Sequence, residues 1–357
     1  MPHAALALAF VVMVAVTLTV AIPARAEPPG LHGTLTLELQ DDATIASEDD
    51  GAEINDVAAT VEAGLALSLT GTLAIRTDLV GESVTGPEPF EDRVVEDMGA
   101  YVKTLYLEYA TDSLQLYAGK FNPPFGVAWD IAPGLYGADF AEDYELTERL
   151  GFGGSVVVAP PSWGAPRLGA AAFFAYTTSL ARSLFEDRGS LDRDDGGPSN
   201  TGDPASFALT LDGAIPMVPD YAYHAAFSRQ AAGRGDVDHE IGAAFALYGS
   251  SPLPQGVTVS PVVELVVQEN DETGADDASY FTLGAAFAIE RGTVSVGGTL
   301  RAVDVAGGAD LDDTLAQIGR AYDVGYGFAV EIGYKTVEEA EVNSDVVGGL
   351  VSYDVEF

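Results

Sequence analysis

Val57-Ala58-Ala59-Thr60-Val61-Glu62-Ala63-Gly64-Leu65-Ala66-Leu67-Ser68 repeats with a period of two. Val57, Ala59, Val61, Ala63, Leu65 and Leu67 fall on one face of an extended chain. Thr60, Glu62, Gly64 and Ser68 fall on the other. The same alternation recurs at Leu35-Leu37-Leu39, at Val257 to Val267, at Phe281 to Ile289 and at Val294 to Leu300. Segments of about 9–13 residues are long for a soluble protein and match tilted membrane-spanning strands. Sixteen strands are predicted: 31–39, 57–68, 71–80, 100–110, 113–122, 151–159, 166–176, 205–215, 220–230, 238–249, 257–269, 279–290, 293–303, 313–323, 327–338 and 345–357.

The connections between these strands sort by parity. Odd-to-even connections are mostly long (40–56, 81–99, 123–150, 177–204), whereas even-to-odd ones are tight, as at Leu69-Thr70, Thr111-Asp112 and Arg291-Gly292. Long and short links therefore lie at opposite ends of the strands. That is the pattern of an all-β transmembrane antiparallel barrel with short periplasmic turns and long extracellular loops. A soluble sandwich supplies similar apolar rows, but it has no reason to segregate its loops by parity. No repeat of 20–50 residues points to a propeller or solenoid.

Ahead of the strands, residues 4–22 are almost wholly apolar and lead into Pro23-Ala24-Arg25-Ala26, a small-x-small pattern. Residues 1–26 are expected to be a cleaved signal peptide, the other reading being an uncleaved anchor. The barrel then occupies 27–357.

The whole chain of 357 residues has 16 basic and 55 acidic side chains, a formal charge of -39, yet is 47% hydrophobic. Losing Arg25 with the signal would make it more negative by one. Only three lysines (Lys103, Lys120, Lys335) argue against nucleic-acid binding, and the absence of cysteine excludes disulfides and thiolate zinc sites. The alternation resolves the tension between charge and hydropathy. Leu, Val, Ala and Phe face lipid, with Tyr101, Tyr109, Tyr176, Tyr221, Tyr334 and Tyr353 expected in an interfacial girdle. The lumen wall is expected to carry Glu38, Glu62, Asp78, Glu108, Asp212, Glu240, Glu264, Glu331, Asp354 and Glu356, against Arg76, Arg167, Arg301 and Lys335. Such a wall suits water and disfavours anions. General acidity of the surface is the blander explanation.

Segment 123–150 is long and partly apolar, with Phe125, Val127, Trp129, Ile131 and Leu135. It is expected to fold inward as a constriction rimmed by Asp130, Asp139, Glu142, Asp143, Glu145 and Glu148; the alternative is that it merely covers the mouth. The acid clusters at 41–53 and 187–195 offer oxygen ligands for calcium but lack the ordered spacing of a calcium loop, so no cofactor is expected. His32, His224 and His239 are the histidines after the signal. No nucleophile elbow accompanies them, so no enzyme is expected.

Leu105-Tyr106-Leu107-Glu108-Tyr109 followed by Leu116 to Gly126, which contains Gly119-Lys120-Phe121-Asn122-Pro123-Pro124-Phe125-Gly126, resembles a segment of Gram-negative outer-membrane porins. It is similar to the phosphate-selective porin O/P group and related sixteen-stranded porins. The closing Tyr353-Asp354-Val355-Glu356-Phe357 resembles the signal that barrels present to the assembly machinery. The resemblance implies passive passage of small hydrophilic solutes and a homotrimer in outer-membrane lipid. It does not carry phosphate selectivity, because this lumen is acidic. A channel specific for one ligand, such as an iron chelate or a sugar, and a plugged structural or adhesive barrel are the alternatives.

Overall fold

The computed structural model describes residues 29–175, 179–189 and 192–357. The expected signal at 1–26 and Tyr176 lie outside the described residues. One sheet contains every strand, and three of its segments are only two residues long (Arg93–Val94, Leu184–Phe185, Ser251–Pro252). The sixteen others are β1 (Gly30–Ser47), β2 (Asn55–Ser68), β3 (Leu73–Ser83), β4 (Met98–Ala110), β5 (Leu114–Phe121), β6 (Arg149–Val157), β7 (Arg167–Ala175), β8 (Ser206–Ala214), β9 (Tyr221–Gln230), β10 (Glu240–Gly249), β11 (Val257–Glu269), β12 (Asp277–Ile289), β13 (Gly292–Asp304), β14 (Leu311–Gly325), β15 (Phe328–Glu339) and β16 (Val342–Glu356).

Each strand pairs antiparallel with its sequence neighbour, and β1 pairs with β16 from Thr34↔Glu356 to Ser47↔Ser344. The barrel is thus closed and has no free edge. Reciprocal backbone bonds between Gly33 and Phe357 (2.9 and 3.0 Å) extend that seam to the last residue.

Registers place one row of every strand outward. Leu283, Leu300, Ile318 and Ile332 of four consecutive strands are all more than half exposed, as is Phe152 on the far side. A continuous apolar surface of this kind is the face that meets lipid in a transmembrane barrel.

Three expectations are corrected. First, β1 runs on to Ser47, so Asp41 and Asp42 are strand residues and not part of an outer loop; that connection shrinks to 48–54. Secondly, the last connection is only Ala340-Glu341, because β15 and β16 pair right up to Glu339↔Val342. Thirdly, Tyr101 faces the lumen. Asp78 pairs with Thr104 but Leu79 with Val102, so Lys103 is an extra residue that reverses the alternation of β4. Tyr101 consequently sits opposite Val80, in the inward row that includes Glu62, and its hydroxyl donates to Glu82.

The packed apolar core lies inside the barrel. It joins Phe121 at the end of β5, and Phe125, Phe140, Tyr144 and Leu146 of the segment that follows, to inward wall residues such as Ala171, Ala208, Ala226, Ala244 and Val266. Protein, not water, therefore covers this part of the inward wall. A charge on the outer belt has no such neighbours. Leu283→Arg should lower the unfolding free energy in lipid vesicles by about 2–4 kcal/mol if it lies near mid-membrane. Denaturant titration of the refolded barrel measures this; an unchanged midpoint would contradict a lipid-facing row.

Candidate functional site

The segment from 122 to 148, between β5 and β6, enters the lumen and crosses to the opposite wall. Phe121-Asn122-Pro123-Pro124-Phe125-Gly126 forms its beginning. Prolines end the strand, since they cannot donate to the ladder. Phe125 then packs over Gly242, where a β-carbon would lie 2.6 Å from its ring. Gly126 has φ +68°, and a side chain there would strike Tyr144. The short helix Ala128–Ile131 follows.

Glu264 of β11 receives this turn. One carboxylate oxygen accepts from Val127 N (2.7 Å), the other from Ala128 N (3.0 Å) and the Tyr144 hydroxyl (2.6 Å). A carboxylate is well suited to the amides that open a helix. Tyr144 stacks edge-on to Phe125 and Tyr280, with centroids 6.4 and 5.0 Å away.

Further along, the segment meets five more strands. Gln317 donates to Pro133 O (2.5 Å), and the Tyr136 hydroxyl donates to Asp42 (2.6 Å). Leu135 and Tyr136 lie against Gly333 and Gly348, whose missing side chains leave the room they need. Lys335 bonds Asp139 at 2.6 Å, and Arg301 bonds Asp143 at 2.7 Å while also holding Asp313 and Glu339. At the return, Asn122 accepts from Glu148 N at 3.0 Å. Glu148 itself bridges Lys120 and Arg188, the latter from the segment after β7.

The six acids named for this segment therefore divide. Asp139, Asp143 and Glu148 are committed to wall or loop cations. Among the described residues, Asp130, Glu142 and Glu145 form no ion pair, and Asp130 and Glu142 are exposed. Although the Glu142 side chain reaches water, the protein crowded around it partly desolvates its carboxyl, and this, reinforced by Asp139 and Glu145, raises it above its usual range. Glu145 is raised by burial and by Asp130 and Glu62, against the pull of Lys103. Glu148 moves the other way, because Arg188 and Lys120 together outweigh its burial.

The wall residues divide too. Glu38, Glu62, Asp78, Asp354 and Glu331 lie on inward rows with no ion pair among the described residues. Glu108 binds Arg76, and Asp212 binds His224 at 2.7 Å. Glu264 and Glu240 are inward but only 1% and 3% exposed, so neither meets the open lumen as expected. The segment covers Glu264, while Gln230 and Gln268 cap Glu240. The three wall arginines behave differently from one another with respect to the segment. Arg301 reaches Asp143 of the segment, Arg76 stays with Glu108, and Arg167 turns to Ser155 at 3.0 Å.

Lys103 was not foreseen. It is the bulge residue of β4, and its charge acts on both Glu142 and Glu145. A cation in phase with Leu105, Leu107 and Tyr109, on a row otherwise apolar, was the available signal. For the acid clusters considered for calcium, Asp42 takes the Tyr136 hydroxyl and Asp49 takes Gly51 N. His224 and Ser228 share an inward row but no hydrogen bond.

If Glu264 is the anchor, Glu264→Ala strands two amides and a phenol and should free the segment. Single-channel conductance should rise, and cleavage within 123–148 by added protease should accelerate. Unchanged values for both would mean that the apolar contacts alone hold it.

No family model matches the sequence, and no curated protein matches it. Solved structures do. OprB of Pseudomonas putida superposes with a TM-score of 0.66 at 10% identity, over 92% of this chain and 94% of that one. The outer-membrane channel DcaP of Acinetobacter baumannii gives 0.57 at 10% identity, over 91% and 96%. The outer-membrane protein OpdK of Pseudomonas aeruginosa gives 0.55 at 12% identity, over 92% and 99%. At such identities the likeness is one of architecture: this chain has the closed sixteen-stranded fold of outer-membrane porins.

Proposed function

We propose that the protein is an outer-membrane porin, a water-filled passage for small hydrophilic solutes and ions that prefers cations. The observation that carries this reading is the distribution of inward charge. Most wall bases are tied to carboxylates, three of them (Lys120, Arg301, Lys335) through acids of the inward segment, and Arg301 alone takes three. Glu38, Glu62, Asp78, Asp130, Glu142 and Glu145 are left without such partners among the described residues. A surplus of fixed negative charge raises the local concentration of cations and lowers that of anions. It also speaks against selection of phosphate.

Segment 122–148 acts as the constriction in this reading. It occupies lumen volume that would otherwise be open, and two of its unpaired acids, Glu142 and Glu145, feel the charge of Lys103. Opposite charges about 4 Å apart in water interact by only about 1 kcal/mol, which biases permeating ions without trapping them. Outer-membrane lipid and the barrel assembly machinery are the partners that fit the apolar belt and the closing Phe357. A homotrimer also fits this reading.

Purified protein in planar bilayers under a salt gradient should give a reversal potential of cation-selective sign. Selectivity should weaken toward 1 M salt, where screening acts over about 3 Å. It should also fall with pH, and start to fall above the ordinary glutamate value of about 4.3, because Glu142 and Glu145 are raised and protonation removes their negative charge. Glu142→Gln with Glu145→Gln should flatten the upper part of that curve. Anion selectivity would refute the assignment. Deleting residues 133–145 should raise conductance, and an unchanged value would remove the segment from the role of constriction.

A further inference from the structure

Asp212 of β8 and Arg167 of β7 are direct cross-strand partners on the inward face. Side chains so placed have β-carbons about 4.5–5.5 Å apart and normally close an ion pair when oppositely charged. This pair does not close. Arg167 turns away to the Ser155 hydroxyl at 3.0 Å, and Asp212 turns to Nδ1 of the buried His224 at 2.7 Å. Each charge is held by a neighbour on its own far side, leaving a gap between them.

The gap opens into a cavity of about 380 Å3, between the wall and the beginning of the inward segment. Asp78 of β3 lines the same cavity and is oriented by the Thr104 hydroxyl at 2.6 Å. Tyr106, Tyr117 and Phe121 form a run of edge-on rings along it, with centroid spacings of 6.2 and 4.8 Å. The size falls within the range of small-molecule sites. Among the described residues, its lining holds one guanidinium free of any carboxylate, two carboxylates free of any guanidinium, and an apolar side.

We infer that this cavity is a transit site for small zwitterions of the amino-acid type, an inference that rests on the channel reading above. Arg167 offers a planar fork for a solute carboxylate. Asp212 and Asp78 offer acceptors for an ammonium group, and the aromatic run takes an apolar side chain. A solute bearing only a positive charge meets Arg167 unfavourably, and one bearing only a negative charge meets two carboxylates. Only a solute with both signs satisfies all three groups, and by taking the places of Ser155 and His224 it would complete the pair that the wall leaves open.

The test uses the full-length barrel in planar bilayers with three solutes of matched shape: L-leucine, 3-methylbutylamine and 4-methylpentanoate. Millimolar leucine should cause transient interruptions of single-channel current, and the amine or the acid should do so at least about tenfold less at equal concentration. Arg167→Gln and Asp212→Asn should each weaken the leucine effect about tenfold or more. Should Arg167→Gln yield no open channels, Arg167→Lys is read instead, and a weaker leucine effect is expected there as well. Interruption by the amine as strong as that by leucine, or leucine interruption indifferent to these substitutions, would overturn the site. Channels that conduct but never respond to leucine would overturn it while leaving the channel reading intact. If the unmodified barrel carries no current, the channel reading fails first. Equilibrium dialysis of labelled leucine against the detergent-solubilised barrel then decides the site alone, with saturable binding lost in Arg167→Gln expected and absence of saturable binding against it.

Discussion

A carboxylate removed from water must be repaid with donors, or it unfolds what buries it. Glu264 sits at 1% exposure with two backbone amides and one phenol on its oxygens. These donors come from residues 127, 128 and 144, which lie at the two ends of the inward segment's buried part. One wall residue therefore fixes where the segment leaves β5, where it returns, and which way its helix points. Aromatic packing of Phe125, Tyr144 and Tyr280 shields those bonds from water, and in shielding strengthens them. The remaining ties at Asp42, Arg301, Gln317 and Lys335 act on a segment already placed.

The consequence for charge is indirect. A strongly acidic barrel could have used its few wall bases to offset the acids along the passage. Here Arg301, Lys335 and Lys120 are drawn to Asp143, Asp139 and Glu148 instead, where they serve attachment. The acids on the open side keep their excess. In the proposed reading, mechanical anchoring and ion preference are thus the same set of ion pairs seen from two sides of the segment.

Most of the fold was legible because its signals are local. A period of two needs no knowledge of partners, and the parity of loop lengths is a count along the chain. What was not legible depends on register. Lys103 shifts the alternation of β4 by one, which sends Tyr101 inward, and no strand-by-strand reading detects that without the pairing to β3. β1 outran its expected end because Asp41 and Asp42 look like loop residues; they are strand residues because Asp42 accepts from Tyr136, 94 positions away. The inward acids share a face in the structure, but their access to water differs from one to the next. Glu38 and Glu264 stand in similar alternating contexts, and only the course of the segment separates an open carboxylate from a covered one.

That segment also explains why the inner wall is chemically two-sided. Where it docks, the inward rows carry alanine and glycine, as at Ala171, Ala208, Ala226, Gly242 and Ala244, and at Gly333 and Gly348 where Leu135 and Tyr136 lie. Small residues there are a steric requirement, since even one β-carbon at Gly348 would fall 2.0 Å from the Tyr136 hydroxyl. On β1 to β3, which the segment leaves free except near Asp42, the same rows carry Glu38, Glu62, Arg76 and Asp78. An inward position can therefore be small because protein fills the space, or charged because water does. The boundary between the two kinds of row, read along successive strands, traces the path of the segment across the lumen. In a barrel of this kind the composition of the wall records the shape of the passage.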